Sequence, residues 1–152
     1  MTSIDRLRLK YGLLIFIGLT AFFVLMKLAG LVHVLELRVL NLFIVGAGIY
    51  YGIREYRRQY EHGTNYFNSF RFGLISGAIG IIPFAVMIVA YLVASPEFMA
   101  KVRASEIMGP YLNPVNVGFV LLAEGLGSSF LVTYTVMQYM KSVVPKKVSC
   151  YK

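Results

Sequence analysis

Little in this 152-residue chain can support covalent or redox chemistry. It has one cysteine, Cys150, so no internal disulfide can form, and a free reduced thiol is the expected state. The C-x-x-C, H-E-x-x-H and G-x-S-x-G motifs and the phosphate-binding P-loop are absent. Redox relays, metalloproteases, serine hydrolases and nucleotide enzymes therefore lose their usual residues. Of the two histidines, His33 falls at the end of the first apolar stretch and His62 in the polar segment after the second. Those positions lie on opposite sides of a membrane, so two-histidine haem ligation within one copy is not expected. The sequence leads us to expect no catalytic residue, no cofactor and no metal site. Charge is also scarce, at 14% of residues, and no polar segment exceeds about 20 residues, which leaves no room for an extramembrane catalytic domain.

Apolar surface, by contrast, is abundant. At 58% hydrophobic residues, the chain has more of it than a soluble domain of this size can enclose, and lipid must cover the remainder. Four apolar stretches, at about 11–32, 37–53, 72–94 and 115–140, approach the roughly 20 residues that a helix needs to cross about 30 Å of hydrocarbon. The expected fold is an all-α membrane protein. It is a single domain over 1–152, with four transmembrane helices in an antiparallel bundle. The short connection near 31–36 forces the first two helices into a hairpin. A cleaved signal peptide is the competing reading of Arg6, Arg8 and Lys10 before the first stretch. That stretch is too long for one, and Lys27 stands where the cleavage site belongs.

The formal net charge is +8, yet the basic residues sit at the ends of the apolar stretches and not on one polar face, so nucleic acid is not an expected partner. Eleven of them (Arg6, Arg8, Lys10, Arg54, Arg57, Arg58, Arg71, Lys141, Lys146, Lys147 and Lys152) fall at the termini and in the middle connection. Only Lys27, Arg38, Lys101 and Arg103 fall in the other two connections. The positive-inside rule then places both termini and the middle connection in the cytoplasm.

The connections carry local signals. The second helix is expected to run past the lipid until Gly63 ends it, setting Arg54, Tyr56, Arg57, Arg58 and Tyr60 at headgroup level as lipid anchors. A specific anionic-lipid site at Arg54, Arg57 and Arg58 is the sharper alternative. Ser95-Pro96-Glu97 has the form of a helix start, and apolar residues recur at near-helical spacing as far as Ile107 before Gly109-Pro110. This predicts a short amphipathic helix on the outer leaflet, or one that docks a partner.

Within this stretch pattern, Gly52-Ile53-Arg54-Glu55-Tyr56-Arg57, then Gly63, then Phe67-Asn68-Ser69-Phe70-Arg71-Phe72-Gly73 resembles a known pattern, GIxxYR … GG … SFGxAFxxG. It belongs to the small four-span bacterial membrane proteins grouped as DUF4199, common in Bacteroidetes. Lys10-Tyr11-Gly12 is similar to the start frequent in that family. The chain departs from the pattern at Tyr66, at Asn68 and in keeping only Gly63 of a double glycine. The family has no established activity. The resemblance therefore implies a four-helix architecture in a bacterial inner membrane and adds no reaction.

Polar and small residues inside the stretches are the functional leads. Glu124 is the one clearly embedded carboxylate, and Lys27 lies at a broadly similar predicted depth, which makes an ion pair between them a candidate. The structural alternative has Lys27 snorkelling outward and Glu124 accepting hydrogen bonds from Ser128 or a neighbouring helix. Gly48-x-x-x-Gly52 and Gly73-x-x-x-Gly77 match the close-approach motif and can face each other. Gly125, Gly127, Ser128 and Ser129 form a further small cluster that then requires another neighbour. Pro83 should kink the third span. The leading expectation for function is a non-catalytic accessory or structural subunit of a larger membrane complex. Its partners would be membrane lipids and other membrane subunits or further copies of itself. A small oligomeric transporter or ion pathway using Glu124 is the alternative, and a lipid enzyme is the weakest class.

Overall fold

The computed structural model describes residues 2–30, 39–60, 66–105, 111 and 113–143, and every regular element among them is helical. Helix α1 spans Ser3–Leu28. It starts well before its apolar stretch because Thr2 and Asp5 form a reciprocal capping box, which satisfies amides that would otherwise be orphaned at the helix start. Ala29 caps its C-terminus, and Gly30 just beyond has a φ of 70°, which suits a residue without a Cβ. Helix α2 spans Val39–Gln59. Helix α3, Tyr66–Ala94, continues through Pro83, which lacks the N–H that would bond the carbonyl of Ile79. Helix α4, Pro96–Ser105, begins with proline at its first position and the Ser95 carbonyl accepting from the Phe98 and Met99 amides, as the sequence predicts. Helix α5 spans Pro114–Val143.

Side-chain contacts fix the direction of each helix. Moving up α1, Tyr11 meets Gly52, Ile15 meets Gly48 and the Ile44 side chain meets Gly18, so α1 and α2 are antiparallel. Ile15 meets Gly80, Thr20 reaches Met87 and Phe23 meets Tyr91, so α1 and α3 are parallel. Thr133 meets Gly73, Ser129 meets Gly77 and Ile81 meets Gly125, so α3 and α5 are antiparallel. The four long helices thus pack up-down-up-down. Helix α3 lies at the centre, touching α1, α2 and α5. Its buried residues, among them Ser69, Phe72, Gly73, Ser76, Gly77 and Gly80, recur every three to four positions as one continuous seam.

The core is filled by Ile15, Ile49, Ile53, Phe72 and Met137, all under 2% exposed. Helix α4 packs across the far ends of α1 and α3, where Phe98 contacts both Phe23 and Tyr91 edge to face and Met99 is buried. Arg6, Arg8, Lys10, Arg54, Arg57, Arg58 and Arg71 gather at the opposite end of the bundle.

Three helices, α1, α3 and α5, are long and apolar enough to cross a membrane. Helix α2 is not among them, although the sequence suggests a span at 37–53. Its apolar portion within the helix runs only from Val39 to Ile53, roughly 15 residues, before Arg54, Glu55, Arg57 and Arg58 begin, and Asn41 interrupts it near the start.

Candidate functional site

Glu124, the carboxylate inside the fourth apolar stretch, sits at a cavity. Glu124, Gly125, Leu121 and Ser128 of α5 face Val39, Asn41, Leu42 and Val45 of α2 across a space of about 440 Å3. Ile81 and Phe84 of α3 and Leu19 of α1 complete the lining. The helices α2 and α5 are in van der Waals contact near Gly46 and Val132, and the cavity lies from there toward the start of each helix. Glu124, Val39 and Leu42 on the rim are exposed, so the cavity opens sideways between α2 and α5. Ile81 and Phe84 lie near the middle of α3, which sets the site at mid-depth in the bundle. The Asn41 carboxamide oxygen is enclosed and has no hydrogen-bond partner.

The structure does not bring Lys27 to Glu124. The Lys27 ammonium lies 4.6 Å from the centroid of the Tyr91 ring, a cation–π contact at the outer end of the bundle. Glu124 is adjacent to Gly125, which packs on Ile81, and Ile81 precedes Tyr91 by ten residues, or roughly 15 Å of helical rise. Counting residues from the predicted span ends placed both at similar depth. The actual register separates them by nearly three turns.

The small-residue faces do not meet each other as expected. Gly48 receives Ile15 of α1, and Gly52 receives Tyr11 together with Phe72. Gly73 and Gly77 accept α5 instead: a Cβ on Gly73 would stand 2.7 Å from the Thr133 methyl, and one on Gly77 would overlap the Ser129 side chain. The cluster beside Glu124 is split in the same way. Gly125 is pressed on Ile81 and Ser129 is buried against α3, so both already have a neighbour, whereas a Cβ on Gly127 would have nothing within 4 Å. Ser129 and Thr133 are buried in this α3–α5 seam and Ser76 is buried on α3 beside Gly12 of α1, all three with hydroxyl oxygens that have no partner among the described residues. Their small size, not hydrogen bonding, brings the helices together.

At the basic end, Arg54 and Arg58 are exposed, while Arg57 turns inward. Its guanidinium lies within 3.5 Å of the Ser69 hydroxyl and of the Met140 carbonyl, linking the end of α2 to the start of α3 and the end of α5. Tyr56 does not face outward as the lipid anchor that the sequence suggests. It is 5% exposed and stacked on Phe72 with ring centroids 4.6 Å apart. Sequence reasoning missed the roles of Arg57 and Asn41. The signal for Asn41 was present, since it is an amide inside an otherwise apolar run; no sequence signal separates Arg57 from Arg58, because that depends on which way the last turn of α2 faces.

Among the described residues, no group of three histidine, cysteine, aspartate or glutamate side chains is placed to hold a metal ion. A family profile described as Protein of unknown function (DUF4199) matches residues 10–109. No curated protein and no solved structure matches the chain.

Proposed function

The chain belongs to the DUF4199 family of proteins of unknown function, and from that premise we propose that it is a non-catalytic subunit that works in contact with other helices inside a bacterial inner membrane. In this reading α2 is a fourth span, held by its three neighbours even though its apolar run is short, and both termini face the cytoplasm. The clustering of basic residues at the end where α1 and α3 begin and α2 and α5 finish supports that orientation.

The open space at Gly127 on the outward face of α5 carries the subunit reading. Along the middle of α1 the exposed residues are Leu13, Leu14, Ile17, Ala21, Val24 and Leu25, all suited to lipid. Along α5 the exposed face also carries large apolar residues, among them Phe119, Val120, Leu126, Phe130 and Leu131, but between them stand Ala123, Gly127 and Thr135, small and weakly polar residues of the kind that membrane helices present to each other. A photoreactive amino acid tests this directly. At position 127 it should cross-link to a second polypeptide in native membranes, and at position 17 mainly to lipid. Equal yields of protein adducts at the two positions would remove the support.

A second reading, a small oligomeric transporter or ion pathway, is favoured by the mid-depth cavity with Glu124 at its rim. Loss of a transport activity in Glu124→Gln with the fold retained would favour it over the subunit reading.

A further inference from the structure

We infer that the outward face at the basic end of α2 binds one anionic phospholipid, with the phosphate held by Arg54 and Arg58 and an acyl chain lying along Tyr51, Ala47 and Phe43. The inference rests on the membrane embedding proposed above and needs no partner subunit. All five residues are exposed, and their spacing of four, three, four and four positions sets them on one face of the helix. Tyr51, 57% exposed, stands edge to face with the Tyr50 ring at 5.5 Å. Phe43 is 69% exposed, and the small Ala47 between the two rings leaves a shallow track for a chain.

The structure narrows the set of arginines that the sequence offers for such a site. Arg57 donates to the Ser69 hydroxyl and the Met140 carbonyl, so it is engaged inside the bundle and fixes the last turn of α2 with Arg54 and Arg58 outward. The described carboxylates at this end are engaged elsewhere: Asp5 accepts from Thr2 and Arg8, and Glu55 accepts from Gln59 at 2.8 Å. Among the described residues, none pairs with Arg54 or Arg58. Two guanidinium groups one turn apart, roughly 6 Å of rise, suit a phosphate diester, whose oxygens match their paired donors. A zwitterionic headgroup would bring a cation that both arginines repel, whereas an anionic one supplies the missing charge.

The test titrates the full chain in mild detergent with phosphatidylglycerol or phosphatidylcholine of the same acyl chains, and reads the first bound lipid by native mass measurement. Phosphatidylglycerol should bind about tenfold more tightly, the factor that one charge-assisted hydrogen bond supplies. Arg54→Gln with Arg58→Gln should abolish that preference. Lys10→Gln with Arg71→Gln removes the same charge from exposed positions at the same end and should leave it intact. If the first pair fails to fold, Arg54→Lys with Arg58→Lys keeps the charge without the planar fork and should weaken the preference about threefold. Equal affinity for the two lipids, equal loss in the two glutamine pairs, or displacement of the lipid by inorganic phosphate overturns the inference. Cross-linking at position 127 does not depend on this site, and an inverted topology would move the site to the other leaflet without changing the preference in detergent, so the readings fail separately.

Discussion

At the residue scale, Glu124 and Lys27 show how depth along a helix can mislead. Both stand out in the sequence because ionisable groups in hydrocarbon are costly and usually paired, and that reasoning does place Glu124 at a cavity. The pairing with Lys27 does not follow, because register depends on which small residues let which side chains in. Ile81 seats on Gly125 and Phe23 on Tyr91, and these contacts set the two residues at levels separated by roughly 15 Å of helical rise. Stability changes from Lys27→Met and Glu124→Gln should therefore add within about 0.5 kcal/mol in a double-mutant cycle. A coupling near 3 kcal/mol, the cost of breaking a dry ion pair, would mean that the two groups meet. The glycines make a second residue-scale test. Gly77→Leu forces a branched side chain into Ser129 and should destabilise the fold by at least about 2 kcal/mol, by analogy with overpacked cores. Gly127→Leu meets open space and should leave unfolding unchanged while releasing a partner. Thermal unfolding in mild detergent together with co-purification separates the two effects.

At the element scale, apolar length marked where each helix crosses, and local chemistry set where it begins. The first apolar stretch starts at Tyr11, but α1 starts at Ser3 because of the Thr2–Asp5 box, and α3 starts at Tyr66, six residues before its apolar run. Hydropathy does not register such polar turns. Helix α4 was fully legible up to Ser105, since Ser95, Pro96 and Glu97 are the residues a helix start requires. The remainder of its expected extent, to Ile107, lies outside the described residues. Helix α2 was the least legible as a span. Its hydrophobicity is modest, yet it has Val45, Ile49 and Ile53 each no more than 3% exposed, so packing against α1, α3 and α5 compensates for a short apolar run. The position of α4 depends on Phe98 between Phe23 and Tyr91. Phe98→Ala should detach it, speeding hydrogen exchange of the α4 amides several-fold with little change at the centre of α3. Unchanged exchange in α4 would mean that another contact holds it.

For the whole molecule, the up-down-up-down packing and the one-sided basic charge make a joint prediction about orientation. In a Cys150→Ser background, single cysteines at Ser3 and Ser142 should be shielded from a membrane-impermeant reagent in intact cells, and one at Ser105 should react. Labelling at all three positions, or at the termini alone, would reverse or abolish that topology. Function was the least legible quantity at this scale, for a physical reason: a chain without nucleophile, metal or phosphate motifs declares its environment through hydropathy but not its partners. That Gly127 faces outward while Gly125 packs on Ile81 appears only once the helices are rotated into place. Native mass measurement of the chain in nanodiscs, taken from its own membrane without denaturing steps, tests the proposed role most directly. The chain should appear with a companion polypeptide or a second copy, and Gly127→Leu should reduce that species to the single chain. A bare monomer of 17.1 kDa across several extraction conditions would contradict the subunit role and require a function complete within one copy.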